Sequence, residues 1–484
     1  MANYDYDLGI IGGGAAGLTV ASGAAQLRAK TLLVEKETEL GGDCLHYGCV
    51  PSKTLLKTAH VYHLMKNGPR FGLPAITPPG VDFRQVAARI KSVIDTIQEH
   101  DSVARFCKLG ARVEFGEPVF TDEHAIRLDS KIISARAWVI ATGSSPETPS
   151  IEGLAATPYL TNRDLFSLET LPASLIILGC GPISVEMAQA FCRLGAKVTV
   201  IQRSGQILSK EDRDMADMVQ RALEEEGVTF LLNTTVVRVG DLGSEREVVV
   251  KNAAGETITL KGEAILVAIG RTPNVAGLGL EKIGIPFDHN GITVDSHLRT
   301  SHRHIYGAGD VIGGYRFTHV AGYEGSVVLS NAVFHLPKKA DYTLVPWCTY
   351  TQPGLASIGL NEKRAHKAGI EYTVWSEEFS NNDRGLAEGE SAGRIKLLLG
   401  RRGRPLGVQI LGPQAGELLN EWVAALNGGG LSQIASAIHP YPTLGEINKR
   451  VAGAVFAKKL FSAPVRKGLK FFFGLRGRAC GEGE

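Results

Sequence analysis

Apolar runs that stop at glycine turns organise this chain. The opening stretch, YDLGIIGGGAAGLTVASGAAQLRAKTLLVEK, reads as a buried strand, a glycine turn, a helix and a second strand closing at Glu35. The pattern recurs at SLIILGCGPISVEMAQAFCRLGAKVTVIQRSGQIL, again strand, glycine turn, helix and strand. Two further segments, AWVIATGSSPETP and AILVAIGRTPNV, are apolar strands ending in glycine turns near a proline, as expected where a chain crosses between domains. The first carries Thr142 and Gly143, the second Gly270. HIYGAGDV ends a strand at Asp310, and a helix is predicted to begin near Thr318. Together these elements predict an α/β chain with two Rossmann-like dinucleotide-binding units.

Length and composition fit that expectation. At 484 residues the chain has room for about three domains, and 44% hydrophobic residues suffice for their cores. Its 57 glycines and 7% aromatic residues favour an α/β protein with many tight turns. A formal charge of +2 argues against bulk electrostatic binding of nucleic acid. Seven scattered cysteines, with no apolar leader at the N-terminus, predict a cytoplasmic protein. In that reducing compartment a close cysteine pair is catalytic or metal-binding rather than a staple. No apolar run reaches the roughly 18–20 residues that span a bilayer.

Candidate chemistry starts with the glycines. Gly12, Gly14 and Gly17 fit G-x-G-x-x-G, and Glu35 stands at the spacing of a carboxylate that binds an adenosine ribose. Such a turn brings backbone and a helix N-terminus to a pyrophosphate; the plainer alternative is a tight strand-to-helix turn. In the second unit Gly179 and Gly181 repeat the opening, Ser184 replaces the third glycine, and Gln202 and Arg203 stand where an NAD-type unit carries an acid. An arginine there pairs with the 2′-phosphate of NADP. NADPH is therefore expected, with NADH the alternative if Arg203 is only a solvated loop residue. The stretch GGDCLHYGCVPSK places Cys44 and Cys49 five positions apart. A regular helix would hold them too far apart for a disulfide, whose Cα atoms sit about 4.4–6.8 Å from each other. Gly41, Gly42, Gly48 and Pro51 permit a distorted turn, and a reversible disulfide is expected.

In this order, from about Tyr6 to about Phe461, the pieces resemble the class I pyridine nucleotide–disulfide oxidoreductases, which include lipoamide dehydrogenase, glutathione reductase and mercuric reductase. The most specific element is C-x-x-x-x-C followed by Val-Pro-Ser-Lys behind the Gly41–Gly42 pair. The resemblance implies two Rossmann-like dinucleotide-binding domains plus a C-terminal α+β dimerisation domain. An FAD-binding domain would be built from residues 1–150 and 278–345, an NAD(P)H-binding domain from 151–277, and the dimerisation domain from 346–462, with a basic tail over 463–484. It implies a homodimer in which each C-terminal domain completes an active site across the two-fold axis. Gly42, Lys53, Thr142, Gly143, Gly270, Asp310 and Thr318 would then join the glycine turn and Glu35 around FAD. Asp310 is expected to take a ribityl hydroxyl, and the helix at Thr318 to aim its N-terminus at the flavin pyrimidine. Cys49 would be the thiolate against the flavin, Cys44 the thiol that meets substrate, and Lys53 the lysine beside flavin N5, paired with Glu186. No resident metal site is implied.

Two departures bear on the substrate. Asp43 replaces the family's threonine before the first cysteine, and a nearby carboxylate is expected to raise the Cys44 pKa. Disulfide reductases carry His-Pro-Thr and then a Glu, whereas this chain reads IHPYPTLGE; aligned on Pro442, Thr443 and Glu446, the histidine position is Tyr441. A two-residue insertion would make His439 the base but breaks the Glu446 spacing. A phenol with a pKa near 10 is a poor base at neutral pH, and one near Glu446 is expected to be held protonated. Mercuric reductase resembles this pattern, with tyrosine at that position, but its paired C-terminal cysteines are missing and only Cys480 is present. From Lys449 to Arg478 there are nine basic residues and no acidic one. That tail is expected either to meet an anionic membrane or an acidic protein, or to be an interface helix with a solvated end. Three functions stay open: a mercuric-reductase-like enzyme acting on a metal ion, a quinone or a thiol-bound species; a lipoamide dehydrogenase; and a redox sensor that docks a partner through its tail.

Overall fold

The computed structural model describes residues 3–480. The chain folds as two compact units, residues 1–208 with 223–342, and residues 209–222 with 343–484. The first unit holds both glycine-turn modules. Its larger sheet runs in the order Ala111–Phe115, Thr31–Glu35, Tyr6–Ile11, Lys131–Ile140, Ala125–Leu128, Val119–Asp122, with Ile305–Gly307 also paired to Lys131–Ile140. The four strands at 6–11, 31–35, 111–115 and 305–307 are parallel to their neighbours, and the 119–128 hairpin is antiparallel. The strand Thr31–Glu35 is buried at every position, as a parallel strand covered on both faces should be. Helix Ala15–Gln26 packs along helix Thr318–Ala332 on one face of this sheet.

The second module is a four-stranded parallel sheet in the order Thr229–Leu231, Lys197–Ile201, Ser174–Leu178, Ala264–Val267, with helix Pro182–Leu194 and an antiparallel layer of three strands between 235 and 262. In both modules the first strand stops at a glycine and a helix starts three or four residues later, so the strand ends and helix N-termini face one crevice. Within the two segments expected as crossings, Ser144–Pro146 and Arg271–Pro273 pair with each other antiparallel.

The second unit has a five-stranded antiparallel sheet in the order 346–349, 354–359, 405–412, 394–399, 373–378. Trp422, Leu419, Ile447 and Val451 from two of its helices pack on Ile395, Leu397 and Ile410 of the sheet. Residues 209–222, although they fall inside the range expected for the NAD(P)H module, group here. The reason is polar: buried Glu211 accepts hydrogen bonds from Trp347 Nε1 (2.5 Å), Ser357 Oγ (2.7 Å) and Gln409 Nε2 (2.7 Å). Asp212 accepts from the first backbone N–H groups of helix Glu362–Lys367.

Candidate active site

The first glycine turn is fitted to a pyrophosphate by what it leaves out. Gly12 has φ of 108°, and a Cβ there would lie 2.3 Å from the Ala141 carbonyl; one on Gly17 would lie 1.8 Å from the Gly12 carbonyl. Helix Ala15–Gln26 starts from Gly14 with no side-chain cap, so its first N–H groups are free of side-chain acceptors. Glu35 ends the next strand buried, accepting from the backbone N–H of Gly13 (2.6 Å), Lys36 (2.7 Å) and Glu37 (2.9 Å). Beyond its expected ribose role it therefore fixes the turn itself. Asp310 opens a short 3-10 turn after Gly309, and Ser144 Oγ donates to it at 2.6 Å. Thr142 Oγ1 donates to the Asn274 carbonyl and Gly143 has φ of 70°, while the Gly270 carbonyl accepts from Glu147 N. These residues fit FAD: an uncapped helix N-terminus, a cradle with no room for a Cβ, and two carboxylates, Glu35 and Asp310, at the positions where the family resemblance expects hydroxyl contacts.

The cysteine segment lies against that cradle. Gly42, with φ of 62°, would bring a Cβ within 2.8 Å of Gly14 Cα, so only glycine permits this approach. Cys44 sits in the short helix Gly42–His46 and Cys49 begins helix Cys49–Lys66, with Tyr47 and Gly48 breaking the helical path between them. The two thiols are unbonded and hydrogen-bonded to each other. Donation from Cys44 lowers the Cys49 pKa to about 6 against the opposing effect of burial, helped by the Thr318 hydroxyl 3.5 Å away and the charge of Lys53. The same bond and burial push the Cys44 thiol well up. One thiolate, Cys49, and one thiol, Cys44, result. Lys53 Nζ meets Glu186 Oε2 at 2.9 Å, with Glu186 buried. Thr318, expected to serve through its helix N-terminus, thus also touches the thiolate sulfur directly.

Asp43 is paired away from the thiols. Its carboxylate is taken by Arg271 (3.1 Å) and by Asn162 Nδ2 (3.2 Å), and the largest causes of the raised Cys44 pKa are the hydrogen bond with Cys49 and burial. Arg271 also donates to Ser144 Oγ at 2.7 Å, so it ties the cysteine segment to the loop beside Asp310. Sequence reading missed Arg271 and Asn162 as positioning residues; the only signal was the arginine in AILVAIGRTPNV, more than two hundred positions from Asp43.

In the second module Gly179 has φ of 103°, and helix Pro182–Leu194 starts from Gly181 without a side-chain cap. Ser184, at the third glycine position, is fully buried and donates to the Ala268 carbonyl at 3.4 Å, which explains how a hydroxyl is tolerated there. After strand Lys197–Ile201 come Gln202, which donates to Ser204 Oγ, and Arg203, which is exposed with no carboxylate partner among the described residues. These features fit a phosphorylated nicotinamide dinucleotide.

In the C-terminal unit Tyr441 is 69% exposed and its hydroxyl donates to Asp383 Oδ2 at 2.9 Å. That bond and the Asp383 charge raise the phenol's pKa, with Glu446 a lesser contributor. The expected partner Glu446 is therefore replaced by Asp383, and Glu446 Oε2 is buried without a hydrogen-bond partner among the described residues. His439 is committed elsewhere: its Nε2 meets Glu421 Oε1 at 2.8 Å and its Nδ1 the Ala437 carbonyl.

Comparison with known proteins places this geometry in context. The family model for pyridine nucleotide-disulphide oxidoreductases matches residues 6–325, and the dimerisation-domain model of the same family matches 345–452. Mercuric reductase of Bacillus cereus is 33% identical, covering 92% of this chain and 70% of that protein. Dihydrolipoyl dehydrogenase of Bacillus subtilis is also 33% identical, covering 94% and 99%. Among solved structures, the Cu(II) complex of the HOCl-induced flavoprotein disulfide reductase RclA from Escherichia coli superposes with a TM-score of 0.83 at 27% identity, covering 93% of this chain and all of that one.

Proposed function

We propose that this chain, which belongs to the pyridine nucleotide-disulphide oxidoreductase family, is an NADPH-oxidising reductase that passes electrons through Cys44 and Cys49 to an acceptor needing no proton shuttle. Its relatives are FAD-dependent enzymes that use NAD(P)H, and the dimerisation-domain match supports a homodimer. Bound FAD supplies hydride acceptance from the nicotinamide and the two electrons that open a Cys44–Cys49 disulfide. The protein's own residues do the rest. Gly12, Gly14, Gly17, Glu35 and Asp310 hold the cofactor, half-buried Lys53 and buried Glu186 place an ion pair beside it, and Thr318 with Cys44 keeps Cys49 ionised above about pH 6. Gly179, Gly181 and Arg203 bind the nicotinamide dinucleotide, Arg203 selecting the 2′-phosphate.

One observation carries the choice of acceptor. Tyr441 is held protonated by Asp383 and the His439 imidazole is spent on Glu421, so neither residue of IHPYPTLGE is a free base for a dithiol. Two thiolates closing on a soft metal ion release their protons without one, which favours a metal ion, with a quinone or thiol-bound species next. The likeness to mercuric reductase and to RclA, solved as a Cu(II) complex, supports this class of acceptor. The test follows NADPH and NADH oxidation by the purified protein with mercuric ion, cupric ion, quinones, lipoamide and glutathione disulfide. Sustained turnover with a metal ion or quinone, and slow turnover with lipoamide and glutathione disulfide, is expected. Brisk lipoamide turnover overturns the reading, and one round of reduction followed by a stall with every acceptor makes the protein a sensor.

The tail is proposed as a peripheral lipid contact. Helix Ala463–Phe473 buries no residue; Phe471, Phe472 and Phe473 are 82%, 76% and 75% exposed. Its helical spacing gathers Arg466, Lys467 and Lys470 on one face, opposite Val465, Leu469 and Phe472. No helix among the described residues is long and apolar enough to cross a membrane.

A further inference from the structure

Besides the terminal helix, the C-terminal unit carries a second group of positive charges, on the turn between strands Arg394–Leu399 and Pro405–Gly412. The turn is short and closed: the backbone N–H of Gly400 donates to the Arg404 carbonyl (2.8 Å) and that of Gly403 to the Gly400 carbonyl (3.1 Å). Arg401, Arg402 and Arg404 are all exposed, and none of their side chains has a hydrogen bond or an ion pair among the described residues. Arg402 takes φ of 62°, a left-handed conformation that glycine or asparagine adopts at less cost. No acidic residue occurs from Arg394 to Gly416. Like charges held together on a closed turn repel one another, so the fold gains nothing from this cluster.

Strand register places that turn at the edge of the unit from which the terminal helix leaves. Thr373 pairs with Leu399, so strand Thr373–Glu378 begins beside the turn, and Trp375, opposite Leu397, lies about 10 Å from Gly400 along the strands. Helix Glu446–Leu460 runs along that strand in the opposite direction. Near its start Arg450 donates to the Asn381 carbonyl and sits 3.9 Å from Asp383; near its end Lys458 lies 5.4 Å from the centre of the Trp375 ring. Its carboxyl end therefore points toward the arginine turn, and helix Ala463–Phe473 starts directly after Phe461 and Ser462. Lys458 and Lys459 stand between the two groups of charge. The loop 368–372, which enters the same edge, brings one carboxylate, Glu371.

An acidic protein takes guanidinium groups but offers nothing to the apolar face of Val465, Leu469 and Phe472 or to the exposed Phe471 and Phe473. A bilayer with anionic headgroups takes both, charge at the headgroup level and aromatic side chains at the acyl boundary. We propose that the Arg401–Arg404 turn is a second contact with anionic phospholipid, engaging headgroup phosphates beside the terminal helix, so that the C-terminal unit meets a membrane at two points. The inference rests on the lipid reading of the helix and adds an orientation to it. A lone amphipathic helix leaves the protein free to swing on the bilayer, whereas two contacts at one edge of the sheet fix which edge faces it. Arginine suits the position because its planar guanidinium pairs bidentately with phosphate oxygens. Each basic residue at an anionic surface adds roughly fivefold to affinity, so three add about a hundredfold. That is too little to hold the protein without the helix and enough to be read in its presence.

The test sediments full-length FAD-loaded protein with phosphatidylcholine vesicles, with and without phosphatidylserine, at low salt. Arg401→Gln/Arg402→Gln/Arg404→Gln is expected to weaken binding to the phosphatidylserine vesicles by roughly tenfold or more and to flatten its dependence on salt, with wild-type flavin content and flavin reduction by NADPH. Arg401→Lys/Arg402→Lys/Arg404→Lys should keep most of the affinity, because the charge remains. Arg127→Gln/Lys131→Gln/Arg136→Gln, which removes the same charge from exposed positions of the first unit, should leave the affinity unchanged. If the glutamine variant of the turn binds like the wild type while truncation after Ala463 abolishes binding, the helix is the whole anchor and the proposal is wrong. A loss no larger than that of the first-unit variant overturns it too, since net charge alone then explains the effect. Full-length protein that ignores the phosphatidylserine vesicles removes both lipid readings, and its binding to soluble polyglutamate instead assigns this edge to an acidic protein.

Discussion

The Cys44–Cys49 pair concentrates its chemistry in one hydrogen bond. Because Cys44 donates to Cys49, and Thr318 and Lys53 add to the effect, the Cys49 pKa falls to about 6. A depressed thiol pKa means thiolate present above it and lost as pH falls through it. The ultraviolet thiolate absorbance that Cys49→Ser removes from the dithiol protein should therefore titrate near pH 6. Cys44→Ala should move that midpoint upward, toward the ordinary thiol value, because the largest favourable interaction is gone; an unmoved midpoint contradicts this origin. Tyr441 makes the complementary case. Its phenol is locked on Asp383, so Tyr441→His should raise lipoamide turnover by roughly tenfold or more, since a placed imidazole contributes about 10²–10⁴-fold to such proton transfers. Steady-state rates with lipoamide, beside unchanged reduction of the flavin by NADPH, read the effect, and His439→Ala should change neither.

At the scale of elements, function sits where helices begin. Helices Ala15–Gln26 and Pro182–Leu194 start from uncapped glycines, leaving N–H groups for phosphate oxygens, and helix Thr318–Ala332 starts beside Cys49. What separates the two modules is the end of the second strand, where Gln202 stands in the register of Glu35 and Arg203 follows it. Glu35 is buried and hydrogen-bonded, whereas Arg203 is exposed. A charge-assisted hydrogen bond contributes about 1.5–3 kcal/mol, so NADPH should reduce the flavin at least tenfold more efficiently than NADH. Arg203→Glu should narrow or reverse that ratio in stopped-flow reduction. The terminal helix gives the other prediction at this scale: truncation after Ala463 should abolish co-sedimentation with phosphatidylserine vesicles at low salt without changing flavin content. If full-length protein ignores those vesicles, the lipid contact does not exist.

Over the whole molecule, the surprise is where residues 209–222 belong. Glu211 anchors them to the C-terminal unit through three buried donors. Glu211→Ala removes the acceptor that Trp347 Nε1, Ser357 Oγ and Gln409 Nε2 share, leaving Gln409 only its longer bond to Ser357 Oγ (3.3 Å), and a buried group deprived of its partner costs about 1–3 kcal/mol. A loss of roughly 2–4 kcal/mol on chemical denaturation, with altered Trp347 emission, is expected; Glu211→Gln, which keeps an acceptor, should lose less.

The sequence alone determined the two glycine-turn modules, the close cysteine pair and the absence of a histidine at position 441, because each is written in neighbouring residues. Glycines that must accept φ of 108°, or whose Cβ would come within 2.8 Å of another backbone, show themselves as G-x-G-x-x-G and Gly41–Gly42. Tertiary structure decided what each charge faces. Nothing near Asp43 in sequence names Arg271 as its partner, and nothing in IHPYPTLGE points to Asp383 or Glu421. Turn geometry is local and leaves its mark in adjacent letters. Electrostatic pairing is set by whichever segments the fold brings within a few ångströms, and only the folded chain shows it.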